Sequence, residues 1–371
     1  MANGYRRSRH LVQFWQNGTA ILYNYASAMQ APASSLTWQI LDYCADWRTV
    51  SDVAGHLGGI NRRDVRRLLD AMVAATFVTV SGRRADARER AMERWAGWNP
   101  SAGFFHCQSR QCKYVDQAPF DLRLSTKAVE RPMPASVKAP ARERVPLPRV
   151  AGSSPIGSAV LDRRTYRQFG RARLPLDKLT EVLRLTSGIT HWLTVPRLGE
   201  VPLRSSPSAG ARHPVETYLV AVGVDGLRRG TYRYSPDRHE LDVVSLDTTR
   251  ARLRAFLPQQ PWLGDCSAAI FFTAVFERTA WRYEFPRAYR AVLLEAGHMC
   301  QTLLLVATSL GLAPFCTMAL DDARVEQHLR IDGIDEAVLY AAGIGTRPEK
   351  AARFVAPRGG VSPRVRTHVL S

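Results

Sequence analysis

Apolar and polar positions change period several times along the chain, and each change marks an element. Residues 10–27 alternate apolar and polar and end in small residues, the pattern of a strand or hairpin. In "SLTWQILDYC" (35–44), Leu36, Ile40 and Tyr43 recur at helical spacing and are expected on one face. Thr49 and Ser51 are candidate caps for a short helix carrying Val53, Ala54 and Leu57. Asn61 caps the next, "RRDVRRLLDAMVAA", which turns Val65, Leu68, Leu69 and Met72 inward. "TFVTVSG" then reads as a strand. Helix, helix, helix, strand in this order is a winged-helix pattern.

Residues 83–98 read as a charged helix, whereas 99–130 carry no clear period. Residues 131–150 hold five prolines, the composition of an extended arm or linker. From about 155 onward helices alternate with strands, among them "VETYLVAVGV" (215–224) and "AAIFFTAVF" (268–276). The most apolar run becomes the helix "YRAVLLEAGHMCQTLLLVATSLGL" (289–312). Glu295, His298 and Gln301 would be costly in lipid, so a buried helix is expected there and no membrane span. Their three-residue spacing predicts a shared face, either inside the core or against a partner subunit. The fold class expected is α+β, divided at 1–82, 83–154 and 155–371.

Composition sharpens this only in places. The 371 residues exceed one ordinary domain, and 46% hydrophobic content supplies a full core. Lys and Arg outnumber Asp and Glu by 51 to 33, a net +18 that favours anionic partners. An Arg-rich coding bias gives the same excess. The start "MANGYRRSRH" is polar, and the six cysteines are scattered among apolar residues. A reduced, cytoplasmic setting is therefore expected.

Several stretches could carry chemistry. "LDRRTYRQFG" (161–170) sets Arg163, Arg164 and Arg167 around Thr165, a set that can cradle phosphate or can be a solvated charge run. "RSSPSAGARHP" (204–214) is a small-residue loop hung from a strand, and Pro207, Ser208, Ala209 and Gly210 would let a flat ligand approach the backbone. "TAWRYEFPRAYR" (279–290) crowds aromatic residues and arginines before the long helix. "FFHCQSRQC" (104–112) lacks a zinc ligand set, and no metal site is expected. "AAGIGTRPE" (341–349) holds a G-x-G before Arg347, without the helix and acidic residue of a dinucleotide fold. The basic "NRRDVRRLLD" helix raises a DNA-binding alternative. Asp64, Asp70 and the core role of Leu68, Leu69 and Met72 weigh against it, so no nucleic-acid partner is expected.

Taken together, "RRTYRQF", "PSAGARHPVETY", "RTAWRYEFPRAYRAVLLEAGHMCQ" and "GIGTR" resemble, in order, the nitroreductase superfamily. They look most like its SagB-type branch, flavin-dependent dehydrogenases that oxidise azolines in peptides. The resemblance covers about 155–350, and "GFFHCQS" looks like the segment preceding the catalytic region. The first 82 residues resemble winged-helix modules that recognise leader peptides. This implies a homodimer with two FMN sites at the subunit interface, a peptide substrate and a possible cyclodehydratase complex. By similarity, Arg163, Thr165 and Arg167 hold the FMN phosphate and the polar edge of the ring, with Arg347 a further phosphate contact. Pro207, Ser208, Ala209 and Gly210 lie against the isoalloxazine. The long helix with Glu295 and Gln301 becomes the dimer core. Trp281-Arg282-Tyr283 stands where the branch has Trp-Lys-Tyr, whose last two residues are assigned to catalysis. Arg282 keeps its proton and cannot readily replace Lys as a base. The resemblance therefore implies Tyr283 and Arg282 as catalytic. It leaves open another desaturation of a peptide or carrier-bound substrate, or a pyridine-nucleotide-dependent reductase.

Overall fold

The computed structural model describes residues 3–82, 87–110, 154–196, 199–258 and 260–349, with isolated positions between 119 and 130. The proline-rich arm at 131–150 lies outside the described residues.

Four strands open the chain: β1 (Tyr5–Arg7), β2 (Leu11–Gln16), β3 (Thr19–Asn24) and β4 (Met29–Pro32). β2 and β3 form the expected hairpin, turning through Asn17 and Gly18, both at positive φ. β4 adds a third strand to it. Ser34, Thr49 and Asn61 then cap α1 (Ser35–Tyr43), α2 (Val50–Leu57) and α3 (Arg62–Ala74). Thr49 and Asp52 form a capping box, so Ser51 sits inside α2 and caps nothing. α1 buries Ile40 and Leu41, while Tyr43 stays half-buried and stacks on His56 at 3.9 Å. β5 (Val78–Val80) returns to pair with β1, Tyr5 opposite Val80. Tyr5, Ile40, Val53, Val65 and Leu69 form the core between them.

The next segment, expected as a charged helix over 83–98, is helical at Ala87–Glu93 and more buried than its charges suggest. α4 (Ala87–Glu93) and α5 (Ser101–Ser109) are a packed joint. Glu89 of the "charged helix" is buried and accepts hydrogen bonds from Ser8 Oγ (2.6 Å) and Asn24 Nδ2 (3.1 Å). Phe104 lies edge-on to Tyr23 (5.9 Å), and Trp95 packs on Phe276 (4.7 Å). Strand β3 and the C-terminal half thus share one aromatic cluster. His106 is part of that core: Nδ1 meets Tyr289 Oη (2.9 Å) and Nε2 meets the Gly333 carbonyl (3.0 Å).

The C-terminal half is built on a six-stranded antiparallel sheet, ordered β10-β9-β8-β11-β13-β12. Its elements in chain order begin with α6 (Pro155–Asp162), α7 (Leu176–Ser187) and the hairpin β6 (Ile189–Val195) and β7 (Gly199–Arg204). There follow β8 (Val215–Ala221), β9 (Gly230–Ser235), β10 (Glu240–Ser245), α8 (Arg250–Ala255) and β11 (Ala268–Val275). α9 (Glu277–Ala280), α10 (Ala288–Ser309), β12 (Leu312–Thr317), α11 (Asp322–Leu329) and β13 (Glu336–Thr346) complete it. β11 is nearly continuous in apolar residues because both its faces are covered. Ile270 and Phe272 pack towards α10 with Met299 and Leu303, and Phe271 packs towards Phe256, Val325 and Leu329.

α10 is long and apolar enough to cross a membrane by length and composition, yet Val292, Ala296, Met299, Leu303 and Ala307 are buried in the fold. The shared polar face is not found. Glu295 is buried, whereas His298 and Gln301 are exposed. Six residues turn a helix by about 240°, so Glu295 and Gln301 point apart although each neighbours His298.

Candidate functional site

The loop between β7 and β8 carries unusual backbone. Gly210 (φ 60°), Ala211 (φ 52°) and His213 (φ 45°) are all left-handed, a concentration that only supporting contacts can hold. Ser208 Oγ accepts from the His213 N–H at 2.8 Å, and Ser206 Oγ reaches Thr302 Oγ1 on α10 at 3.3 Å. Gly210 is needed for a close approach. A Cβ there would lie 2.6 Å from Arg282 Cδ and Nε and 2.8 Å from Tyr283 Oη. The fold therefore brings together the loop and the pair that the sequence singled out separately. Pro207 is exposed, and Ser208, Ala209 and Gly210 are half-buried.

Arg282 and Tyr283 follow the single turn α9, with the Tyr283 N–H bonded to the Thr279 carbonyl at 3.0 Å. The Arg282 guanidinium stands 5.6 Å from the Tyr283 ring centroid, and Arg212 covers Trp281 at 5.6 Å. Trp281 is 62% exposed and Phe285 50%, so one side of this wall is open. From behind, Trp98 Nε1 donates to the Tyr283 carbonyl at 2.8 Å. Gly97 fits against the Glu284 backbone, where a Cβ would come within 2.7 Å of its carbonyl oxygen.

The arginines of 163–170 gather elsewhere. Arg163 ends α6, and Arg164 Nη1 caps its last carbonyls at Leu161 and Arg163, both at 2.7 Å. Tyr166 N–H bonds the Pro314 carbonyl (3.0 Å) and Gly170 N–H the Thr346 carbonyl (2.8 Å), laying the segment along β12 and β13. Arg347 lies 5.9 Å from the Tyr166 ring and donates to the Leu312 and Thr308 carbonyls at 3.1 Å each. It caps α10 as well as facing this cluster. Arg167 covers Trp262 at 5.7 Å, and Thr165 is exposed. Nearby, Tyr340 Oη donates to Cys316 Sγ at 3.2 Å. A hydrogen bond from Cys300 holds the Cys316 thiol below its usual range, with Tyr340 and Arg163 adding to the effect.

The two groups meet α10 at different turns. The loop stands against Glu295, whose Oε1 is 3.8 Å from His213 Nδ1, and against Thr302, whereas Arg347 grips the Thr308 carbonyl nearer the end of the helix.

Sequence reasoning missed what lies under the loop. Glu295 is 2% exposed, with Oε1 3.8 Å from His213 Nδ1 and without a hydrogen-bond partner. Burial pushes its carboxyl up to about 7, against the pull of Ser208 and Arg204. Burial holds His213 down at about 4, with Arg204 adding to it. Arg204 donates to the Val215 carbonyl (3.2 Å), and its Nε is unpartnered.

A six-stranded antiparallel sheet covered by helices, carrying a small-residue loop, an aromatic-cationic wall and an arginine cluster, is an α+β arrangement. Residues 160–346 match the Nitroreductase family, and the chain belongs to that family. The trifolitoxin-processing protein TfxB of Rhizobium leguminosarum bv. trifolii is 28% identical over 64% of this chain and 65% of its own length. A nitroreductase-named protein of Methanocaldococcus jannaschii is 30% identical over 46% of this chain and 82% of its own. The microcin B17-processing protein McbC of Escherichia coli is 28% identical over 47% and 68%. The chain thus spans slightly under two thirds of TfxB.

Proposed function

We propose that the chain is an FMN-dependent dehydrogenase that converts thiazoline or oxazoline rings of a peptide precursor to azoles. The observation that carries this reading is the seating of Arg282 and Tyr283 on the Gly210 turn. Two relatives named for processing peptide toxins support a peptide substrate.

The residues present fit FMN. Arg163, Arg167, Thr165 and Arg347 offer cations and a hydroxyl suited to its phosphate. Pro207, Ser208, Ala209 and Gly210 offer a flat surface of small side chains for the ring. When bound, FMN supplies a two-electron acceptor for hydride. The loop meets α10 at Glu295 and Thr302 while Arg347 holds its Thr308 end, an arrangement that suits sites shared between two copies in a homodimer. Exposed Trp281, Phe285 and Leu294 (62% exposed) supply an apolar surface for the second copy.

Within such a site the phenolate form of Tyr283 would take the ring proton and become the neutral phenol. Arg282 stays charged and would favour that phenolate beforehand. Trp98 and the Gly97 contact fix the backbone that carries them. Residues 1–82 act as the peptide-binding module, alone or with a partner cyclodehydratase, in the cytoplasm. Arg282 at the position of the branch's Lys favours a second reading, a different desaturation on a peptide or carrier-bound substrate.

The test is a visible spectrum of the purified chain, then mass spectrometry of an azoline-containing peptide for loss of two hydrogens per ring. A colourless protein that takes up no FMN sinks the proposal. Bound FMN with rapid bleaching by NADPH and no azoline oxidation points instead to a reductase.

A further inference from the structure

The segment that carries Arg282 and Tyr283 has little burial to hold it on its open side. Trp281, Arg282 and residues 284–287 are exposed, and Tyr283 is half-buried. Trp98 holds the segment from behind. In front, two arginines cross between it and the Gly210 turn, in opposite directions. Arg212 leaves the turn. Its Nε donates to the Gly210 carbonyl at 3.0 Å, and its guanidinium carbon lies 5.6 Å from the Trp281 ring centroid. Arg278 stands on α9 and reaches back. Its Nη1 donates to the His213 carbonyl (3.0 Å) and to Glu216 Oε1 on β8 (2.6 Å).

We propose that Arg212 is a positioning residue that fastens segment 281–283 to the Gly210 turn, with Arg278 as the fixed end of the same connection. β8 is an inner strand of the six-stranded sheet, so the bond to Glu216 ties the end of the turn to a rigid element. The turn has left-handed residues at 210, 211 and 213 and keeps that shape only while it is held. Arginine suits the task at 212. Its Nε–H fixes the plane of the guanidinium against the backbone, and the flat cation then faces the indole. A lysine ammonium cannot do both. Without this tie the turn and the segment separate on the open side, and Gly210 no longer sets the place of Arg282 and Tyr283.

What the tie does for catalysis rests on the function proposed above, but the tie itself does not. The first experiment is therefore hydrogen exchange of the full-length chain without added FMN, read by mass spectrometry on peptides spanning 204–216 and 277–287. The second peptide reports on the segment through the Trp281 and Tyr283 amides, which are bonded to the Glu277 and Thr279 carbonyls at 2.8 and 3.0 Å. In Arg212→Met, exchange is expected to rise roughly threefold to tenfold in both peptides, the scale of one exposed cation–π contact with one charge-assisted hydrogen bond. Peptides from β11 stay at the parental rate. In a Trp281→Leu background, Arg212→Met adds little further exchange over 277–287, because the partner is already gone. With FMN and an azoline-containing peptide, Arg212→Met loses kcat by a similar factor while KM stays within about twofold. Faster exchange confined to 204–216, full additivity with Trp281→Leu, or an unchanged kcat in the variant of an active parent overturns the proposal. Faster exchange in both peptides, in a chain whose parent oxidises no azoline, overturns the proposed reaction and leaves Arg212 as the tie.

Discussion

The indole of Trp98 donates a 2.8 Å hydrogen bond to the carbonyl of Tyr283, across 185 residues of chain. Trp98 is 1% exposed and Tyr283 half-buried, so losing the donor leaves a partly buried carbonyl without its protein partner. Trp98→Phe keeps most of the ring packing and removes the donor. It is expected to destabilise the chain by about 1–3 kcal/mol. The proposed oxidation should lose kcat more than KM, because the backbone beneath Tyr283 moves. Chemical denaturation and steady-state kinetics on the same preparation check both parts; an unchanged kcat refutes the coupling.

Gly210→Ala introduces a methyl where Arg282 and Tyr283 already stand, at a φ of 60° that alanine resists. Either the turn or the pair must yield. The expected outcome is a folded protein, with a melting temperature a few degrees lower, that has lost most of its oxidation of azoline peptide. Near-parental activity in this variant would show that the contact is not part of the site.

Arg282→Lys tests the one departure from the pattern of the branch. Lysine can lose its proton in a desolvated site and arginine cannot. Faster azoline oxidation in the variant, with a new basic limb in its pH–rate profile, is expected if the chain is a weakened member of that branch. Tyr283→Phe should abolish turnover while FMN affinity holds. Tyr283→Phe at parental speed removes Tyr283 from the chemistry.

Much of this was legible in the sequence where local rules decide. The Asn17-Gly18 hairpin, the caps Thr49 and Asn61 and the apolar run of β11 each follow from short-range pattern. What escaped depends on distant partners. Glu89 looks like any helix-surface carboxylate until Ser8 and Asn24 are folded against it. Arg347 reads as a phosphate ligand, and the fold also spends its donors on the carbonyls of Leu312 and Thr308. The three-residue spacing of Glu295, His298 and Gln301 suggests a shared polar face only if pairwise adjacency is extended one step too far. The burial of Glu295 is set by the loop that α10 meets, and nothing near 295 in the sequence announces that loop.

The apolar surface at Trp281, Phe285 and Leu294 gives a test of the shared site. Leu294 is 62% exposed on α10, so a polar replacement costs the single chain little. Leu294→Arg is expected to shift the protein from dimer to monomer in sedimentation, and FMN binding should be lost with it. A monomer that still binds FMN stoichiometrically would place the whole site in one chain and contradict the shared arrangement.

Stability should depend on pH through two groups of opposite sense. Burial, reinforced by Arg110, holds His106 at about 3, and both ring nitrogens are bonded in the neutral form. Unfolded, the ring takes a proton near 6.5, so between these values the unfolded chain binds more protons. Its contribution is present above pH 6.5 and is lost as pH falls towards 3. Glu326 runs the other way. Burial raises it to about 7 despite its contact with Arg110, so the folded chain holds the proton that the unfolded chain releases near 4.5. Its neutral form favours folding at low pH, and that advantage is lost as pH rises from 4.5 to 7. Two variants separate these effects. Relative to the parent, the deficit of His106→Gln should shrink as pH is lowered through 6.5, by up to about 1.4 kcal/mol per unit. The deficit of Glu326→Gln should shrink as pH is raised through the 4.5–7 window. Urea midpoints for the parent and both variants across pH 4–8 measure this directly, and differences that stay constant with pH would rule out either group as the source.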